Sequence, residues 1–384
     1  MSVFRTALFL ICALLHLAIV ADVSVAAENG VARLRAADIL RTDILRGPDY
    51  VIEGDVAVKR HRYQFRIKTR WGILTADGLN MLGVRLQEIR AIKRADRLSR
   101  DPQFVGGLVE SVSQTPRGIR TLLRNPVGAV LGIPRGFKRL ASTQLHPADR
   151  RAGSVTRRRI AFDVDCDPET TNPILKPLLN NLATRKGLGK LVGKVGMSAA
   201  VPGLGLVPLT AEMQTTLLVK LPHEINRQMD GDLKAMGVDE KTRKTFLTSS
   251  HFTTGQRLVL MLQLRKLRHV ENRAAVVEAA ARADSEADAL AANDQLRMLV
   301  AIDRMHTVVR LEDVGTPVAV RERGTCVIVC SADFLLATGD VAAMLADIRK
   351  RHPNTPVLLM CSGRVSRAAR RFCSEADIST AELR

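Results

Sequence analysis

Aromatic residues are scarce in this 384-residue chain, at 3%, with one tryptophan and two tyrosines. Proteins that hold single-stranded nucleic acid stack its bases on aromatic faces, so the composition argues against nucleic acid as a partner. Fingerprints of cofactor and metal chemistry are missing as well. There is no GxGxxG, phosphate loop, HExxH or Gly-x-Ser-x-Gly, and no CxxC pair. The histidines from His61 to His352 stand singly, without the spacing of a zinc site. No cofactor and no metal site are therefore expected. Long apolar runs are also few, which leaves little room for a membrane span.

The longest such run opens the chain. Arg5 gives a short positive end, Ala7 to Ala21 is apolar, and Val25-Ala26-Ala27 offers the small residues a signal peptidase needs. Fifteen residues rise about 22 Å as a helix, short of the roughly 30 Å hydrocarbon core. Residues 1–27 thus read as an export signal rather than an anchor, and Cys12 leaves with it. The expected location is periplasmic or secreted. A second charge-free run, Val195 to Ala211, is interrupted by Pro202 and Pro208 and reads as a buried loop and helix. No transmembrane span is expected in the mature chain.

Acidic residues are outnumbered, 39 to 58, for a net charge of +19. The excess is concentrated: over residues 93–159 fifteen Lys/Arg face four Asp/Glu, a balance of +11. Within that stretch three Pro-x-Gly units, at Pro116, Pro126 and Pro134, punctuate apolar residues interleaved with Arg117, Arg120, Arg124, Arg135, Lys138 and Arg139. A basic amphipathic segment of this kind suits an anionic lipid surface or envelope polymer. The competing account is a polar linker with its apolar residues packed inward.

Five cysteines follow the signal: Cys166, Cys326, Cys330, Cys361 and Cys373. In an oxidising compartment an odd number leaves at least one thiol unpaired. Cys326 and Cys330 lie on one face of a strand about 13 Å apart, too far to bridge each other. Either can reach Cys361 or Cys373.

The expected fold class is α+β: a predominantly helical body with a small N-terminal antiparallel sheet and a C-terminal parallel βα unit. Period-two alternation from Tyr50 to Asp77 predicts the sheet, and Gly78 to Arg100 a helix. Residues 28–100 form a small α+β domain, 101–160 a basic connector, 161–313 a helical domain and 314–384 the βα unit. Gly231 and Gly237 read as turns. Asn272 to His306, rich in alanine and free of Gly and Pro, reads as one long helix or two closely joined. The βα unit has strands at Cys326–Cys330 and Val357–Cys361, followed by helices over Asp340 to Arg351 and Arg364 to Cys373, and is expected to pack on the helical body or to borrow strands, with Val318 to Val320 as a candidate.

Ligands of parallel sheets bind beyond the strand carboxyl ends. Ser331, Asp333, Ser362, Gly363 and Arg364 stand there and form the candidate pocket for an anion. Asp284, Glu286 and Asp288 do not converge on a metal, because on a helix the middle residue points away from the other two. The function expected is an exported cell-envelope protein binding an anionic surface or partner through its basic segment. Two alternatives stand beside it: an enzyme acting on an anionic small molecule at the βα unit, and a helical module that binds another envelope protein.

Overall fold

The computed structural model describes residues 33–100, 147–184 and 211–383. The expected export signal, the Pro-x-Gly units with Arg117, Arg120, Arg124, Arg135, Lys138 and Arg139, and residues 195–210 of the charge-free run lie outside the described residues. The fold is α+β.

Alternating side chains build the first sheet. Its strands are β1 (Arg33–Arg35), β2 (Arg46–Gly47), β3 (Tyr50–Ile52), β4 (Asp55–Lys59), β5 (Arg62–Thr69) and β6 (Gly72–Asp77), with short helices α1 (Ala36–Ile39) and α2 (Thr42–Leu45) between β1 and β2. Every pairing is antiparallel. β5 is the spine: β6 runs along one edge, while β4 and β3 share the other. Successive strand residues face opposite sides, so Tyr63, Phe65 and Ile67 turn inward and Arg66 and Lys68 outward, where both pair with Glu53 at 3.3 Å. Helix α3 (Leu79–Arg100) covers the inner face with Leu82, Leu86, Ile89 and Ile92. Two further helices, α4 (Pro147–Asp163) and α5 (Leu175–Thr184), join this core through Ile160, Leu179 and Leu182.

A second core belongs to helices α6 (Ala211–Val219), α7 (Pro222–Ala235), α8 (Glu240–Thr248), α9 (Thr254–Lys266), α10 (Ala274–Ala281) and α11 (Glu286–Met305). Thr253 and Gln256 form a reciprocal capping box that starts α9. Gly231 lies inside α7 rather than at a turn, whereas Gly237, with φ of 82°, follows its end. The alanine-rich stretch divides into α10 and α11 because Ser285 accepts the Asp288 N–H and opens a new helix.

The C-terminal sheet contains the parallel strands at Cys326–Cys330 and Val357–Cys361 and the strand at Val318 to Val320, but it is larger than a parallel βα unit and mixed. Its order is β13 (Ile378–Glu382), β11 (Val357–Cys361), β9 (Cys326–Cys330), β8 (Pro317–Arg321) and β7 (Val308–Asp313). The first three are parallel, and the β9–β8 and β8–β7 pairs are antiparallel, so the sheet is mixed. The unforeseen strands β7 and β13 are its edges, where charged and polar residues interrupt the apolar pattern. Two more helices, α12 (Gly339–Arg351) and α13 (Arg367–Glu375), connect the parallel strands. Both faces are covered: Val327 and Val329 meet the helical body, and Cys326 and Ile328 face the core that α12 and α13 share. Burial on two sides explains why Cys326–Cys330 is apolar without alternation. Among the described residues no helix is long and apolar enough to cross a membrane.

Candidate functional site

Beyond the carboxyl ends of β9 and β11 the chain pairs once more, through the short parallel strands β10 (Phe334–Leu335) and β12 (Arg364–Val365). Helix α13 consequently begins at Arg367, capped by Ser366, rather than at Arg364. The turn between β4 and β5 docks against this edge. Its residues Arg60 and His61 both adopt left-handed backbone, with φ of 48° and 65°. That conformation is uncommon outside glycine. His61 O accepts the N–H groups of Asp333 and Phe334 at 2.9 and 3.1 Å, and His61 Nδ1 accepts the Leu336 N–H at 3.1 Å.

Asp333 returns the contact. Its carboxylate accepts the Tyr63 N–H at 2.9 Å and the Leu79 N–H at 3.2 Å, so it caps α3 from another element. The Tyr63 ring stacks on Phe334 with centroids 6.4 Å apart. Gly363 lets the two loops touch: a Cβ there would sit 2.3 Å from Asp333 O and 2.5 Å from Ala332 O. The remaining candidate residues are held in the same seam. Ser331 Oγ donates to Asp294 Oδ2 at 2.8 Å, Ser362 Oγ donates to Ala332 O at 3.2 Å, and Arg364 Nη2 donates to Asp38 O at 2.9 Å. Ser331, Asp333, Ser362, Gly363 and Arg364 are thus neighbours along one joint, each engaged with another part of the chain.

Electrostatics follow from enclosure. Burial pushes the Asp333 carboxyl up to about 6 despite two N–H donors and nearby Arg62. His61 is held below its ordinary value, first by burial and then by Arg62, which favours the neutral ring that accepts from Leu336. Arg62 binds Asp288 directly, and its Nη1, 3.9 Å from Asp77, has no hydrogen-bond partner.

The acidic residues around the start of α11 share this work. Asp284 pairs with Arg60 at 3.1 Å, Asp288 with Arg62, and Glu286 with Arg85 at 3.4 Å. They point to three cations rather than to one centre. Among the described residues no group of three His, Cys, Asp or Glu side chains is placed to hold a metal.

A second seam joins α3 to the helical body. Buried Glu88 accepts from Arg85 at 2.7 Å, from Asn172 at 2.8 Å and from Thr170. Farther along the same loop, Asp167 accepts the Thr253 hydroxyl at 2.7 Å, and Glu169 accepts the Thr254 N–H at 2.6 Å. Burial raises Asp167 to about 6.

Sequence reasoning passed over His61, Glu88 and Asp294. Asp294 carried a signal: with Ala287, Ala291 and Met298 it lies on one buried helical stripe, where a carboxylate needs a partner. His61 sits between two arginines in a hairpin turn and carried none. A depression of about 210 Å³ lies elsewhere, at the β7–β8 side, lined by Met305, His306, Thr307, Arg321, Glu322 and Arg323. No protein-family model matches the chain, and no curated protein or solved structure matches it.

Proposed function

We propose that this is an exported cell-envelope protein that holds an anionic surface, a lipid headgroup layer or an acidic envelope polymer, through the basic stretch 93–159. One observation carries the reading. That stretch sets fifteen Lys/Arg against four Asp/Glu, and the helices at its two ends, α3 and α4, are anchored in one hydrophobic core through Ile92, Ala95, Ile160 and Ala161. Both ends of the stretch therefore belong to one body. Each Lys/Arg near an anionic membrane contributes on the order of 1 kcal/mol, and salt screens it within about 10 Å.

Vesicle co-sedimentation tests the proposal. The protein is expected to pellet with phosphatidylglycerol vesicles and not with phosphatidylcholine vesicles, with binding falling as salt rises. Replacing Arg117, Arg120, Arg124, Arg135, Lys138 and Arg139 by glutamine is expected to abolish it. Failure to bind anionic vesicles at any salt concentration would overturn the lipid form; retention on an acidic polysaccharide column would then favour the polymer. The strand-end residues, already committed to the joint, offer no comparable support for an enzyme.

A further inference from the structure

The four cysteines of the C-terminal core, Cys326, Cys330, Cys361 and Cys373, are not used by the reading above. All five described cysteines are unbonded thiols. Two of them are direct neighbours: in the parallel pairing of β9 and β11, Cys330 is the register partner of Cys361. Adjacent strands lie about 4.8 Å apart, inside the roughly 4.4–6.8 Å between Cα atoms that a disulfide spans. Register partners in parallel strands turn their side chains to the same face, and both cysteines pack on the core covered by α12 and α13. Cys326 faces that core too, but its register partner is Val357, at the far end of the strands.

We propose that Cys330 and Cys361 are a redox pair that closes to an intramolecular disulfide by exchange with a low-molecular-weight disulfide such as oxidised glutathione. Both sulfurs are enclosed, so exchange requires the strand ends to open locally. The thiolate of one cysteine attacks one glutathione sulfur, breaking the S–S bond, forming a mixed disulfide and releasing one glutathione thiolate. The other cysteine then attacks the sulfur of the first and expels the second glutathione thiolate. Two cysteine sulfurs are oxidised, one glutathione disulfide is reduced to two thiols, and the two cysteine protons pass to the leaving thiolates.

The two thiols are already engaged with each other. A hydrogen bond from the Cys330 thiol and another from the Gly363 N–H hold the Cys361 thiol below its ordinary value, and that same Cys330–Cys361 bond together with burial pushes the Cys330 thiol well above its own. The bond formed would tie the ends of the two central strands directly beneath the joint, where Ser362 N already donates to Cys330 O at 3.0 Å.

The experiment equilibrates the purified, folded full-length protein with oxidised and reduced glutathione at defined ratios, traps remaining thiols by alkylation and maps cross-linked peptides by mass spectrometry. The expected result is the loss of two alkylatable thiols and a peptide pair joining Cys330 to Cys361. Oxidation should raise the melting temperature by roughly 5 °C, and C361A should remove that dependence. The proposal is overturned if both thiols stay alkylatable in excess oxidised glutathione, if Cys373 takes either partner, or if either cysteine stops at the glutathione adduct. Mapping the wild-type protein decides the matter even if C361A fails to fold. Vesicle binding is a separate readout, so the two proposals fail independently.

Discussion

The two sheets of this protein reach stability in different ways. In the N-terminal sheet one face is packed on α3 and the other faces water, so Leu74 is buried and its neighbour Ile73 is 52% exposed. In the C-terminal sheet, helices cover both faces, and Val327, Ile328 and Val329 are all buried. An apolar residue therefore carries different weight in the two places. Alternation marks a face that can be lost to solvent at no cost; a continuous apolar run marks a strand with no such face. The joint between the sheets follows neither pattern and rests on backbone donors, one carboxylate and one imidazole.

The sharpest way to break this comparison is Ile328→Ala. Truncation in a core closed on both sides is expected to cost about 3–4 kcal/mol in chemical denaturation, and a cost under about 1 kcal/mol would refute two-sided burial. Next comes Asp333→Ala, which leaves the Tyr63 and Leu79 N–H groups without their acceptor. The expected cost is about 2 kcal/mol, with hydrogen exchange at the start of α3 accelerating before the rest of the sheet. Uniform exchange across the sheet would count against a local joint.

A subtler effect is the pH dependence of the joint. The folded Asp333 carboxyl, raised to about 6, binds its proton more tightly than the unfolded one near 3.9. Its contribution to stability is full below about 3.9 and is lost as pH rises through about 6. Asp167, also raised to about 6, adds a slope of the same sign. His61, held low, acts oppositely: its contribution is present above about 6.5 and is lost as pH falls through its lowered folded value. Comparing wild type with Asp333→Asn between pH 4 and 7 isolates the aspartate, and superimposable profiles would show that it does not titrate as described. The smallest effect is expected for Ile73→Ala, within about 0.5 kcal/mol. A larger loss would mean that the outer face of the first sheet is covered.

Much of the architecture is legible in particular residues. Tyr63-x-Phe65-x-Ile67 announces a half-buried strand, Cys326-Val327-Ile328-Val329-Cys330 a fully buried one, and Thr253 with Gln256 a helix start. Strands β7 and β13 were hidden because edge strands carry the charges and hydroxyls that ordinarily mark loops. Ser331, Asp333, Ser362, Gly363 and Arg364 were found by a rule of topology, that strand ends are open. That rule does not say whether another part of the chain will fill the opening.

The sequence by itself determined the α+β class, the basic balance, the inward and outward faces of the first sheet and the cysteine inventory, because composition and short-range periodicity are local properties. Tertiary structure alone decided that a hairpin turn more than 270 residues away would occupy the strand ends through His61, and that Asp333 would cap a distant helix. It also decided that Cys330 would lie opposite Cys361. Register and docking depend on which buried surfaces meet, and periodicity specifies a face without specifying its partner.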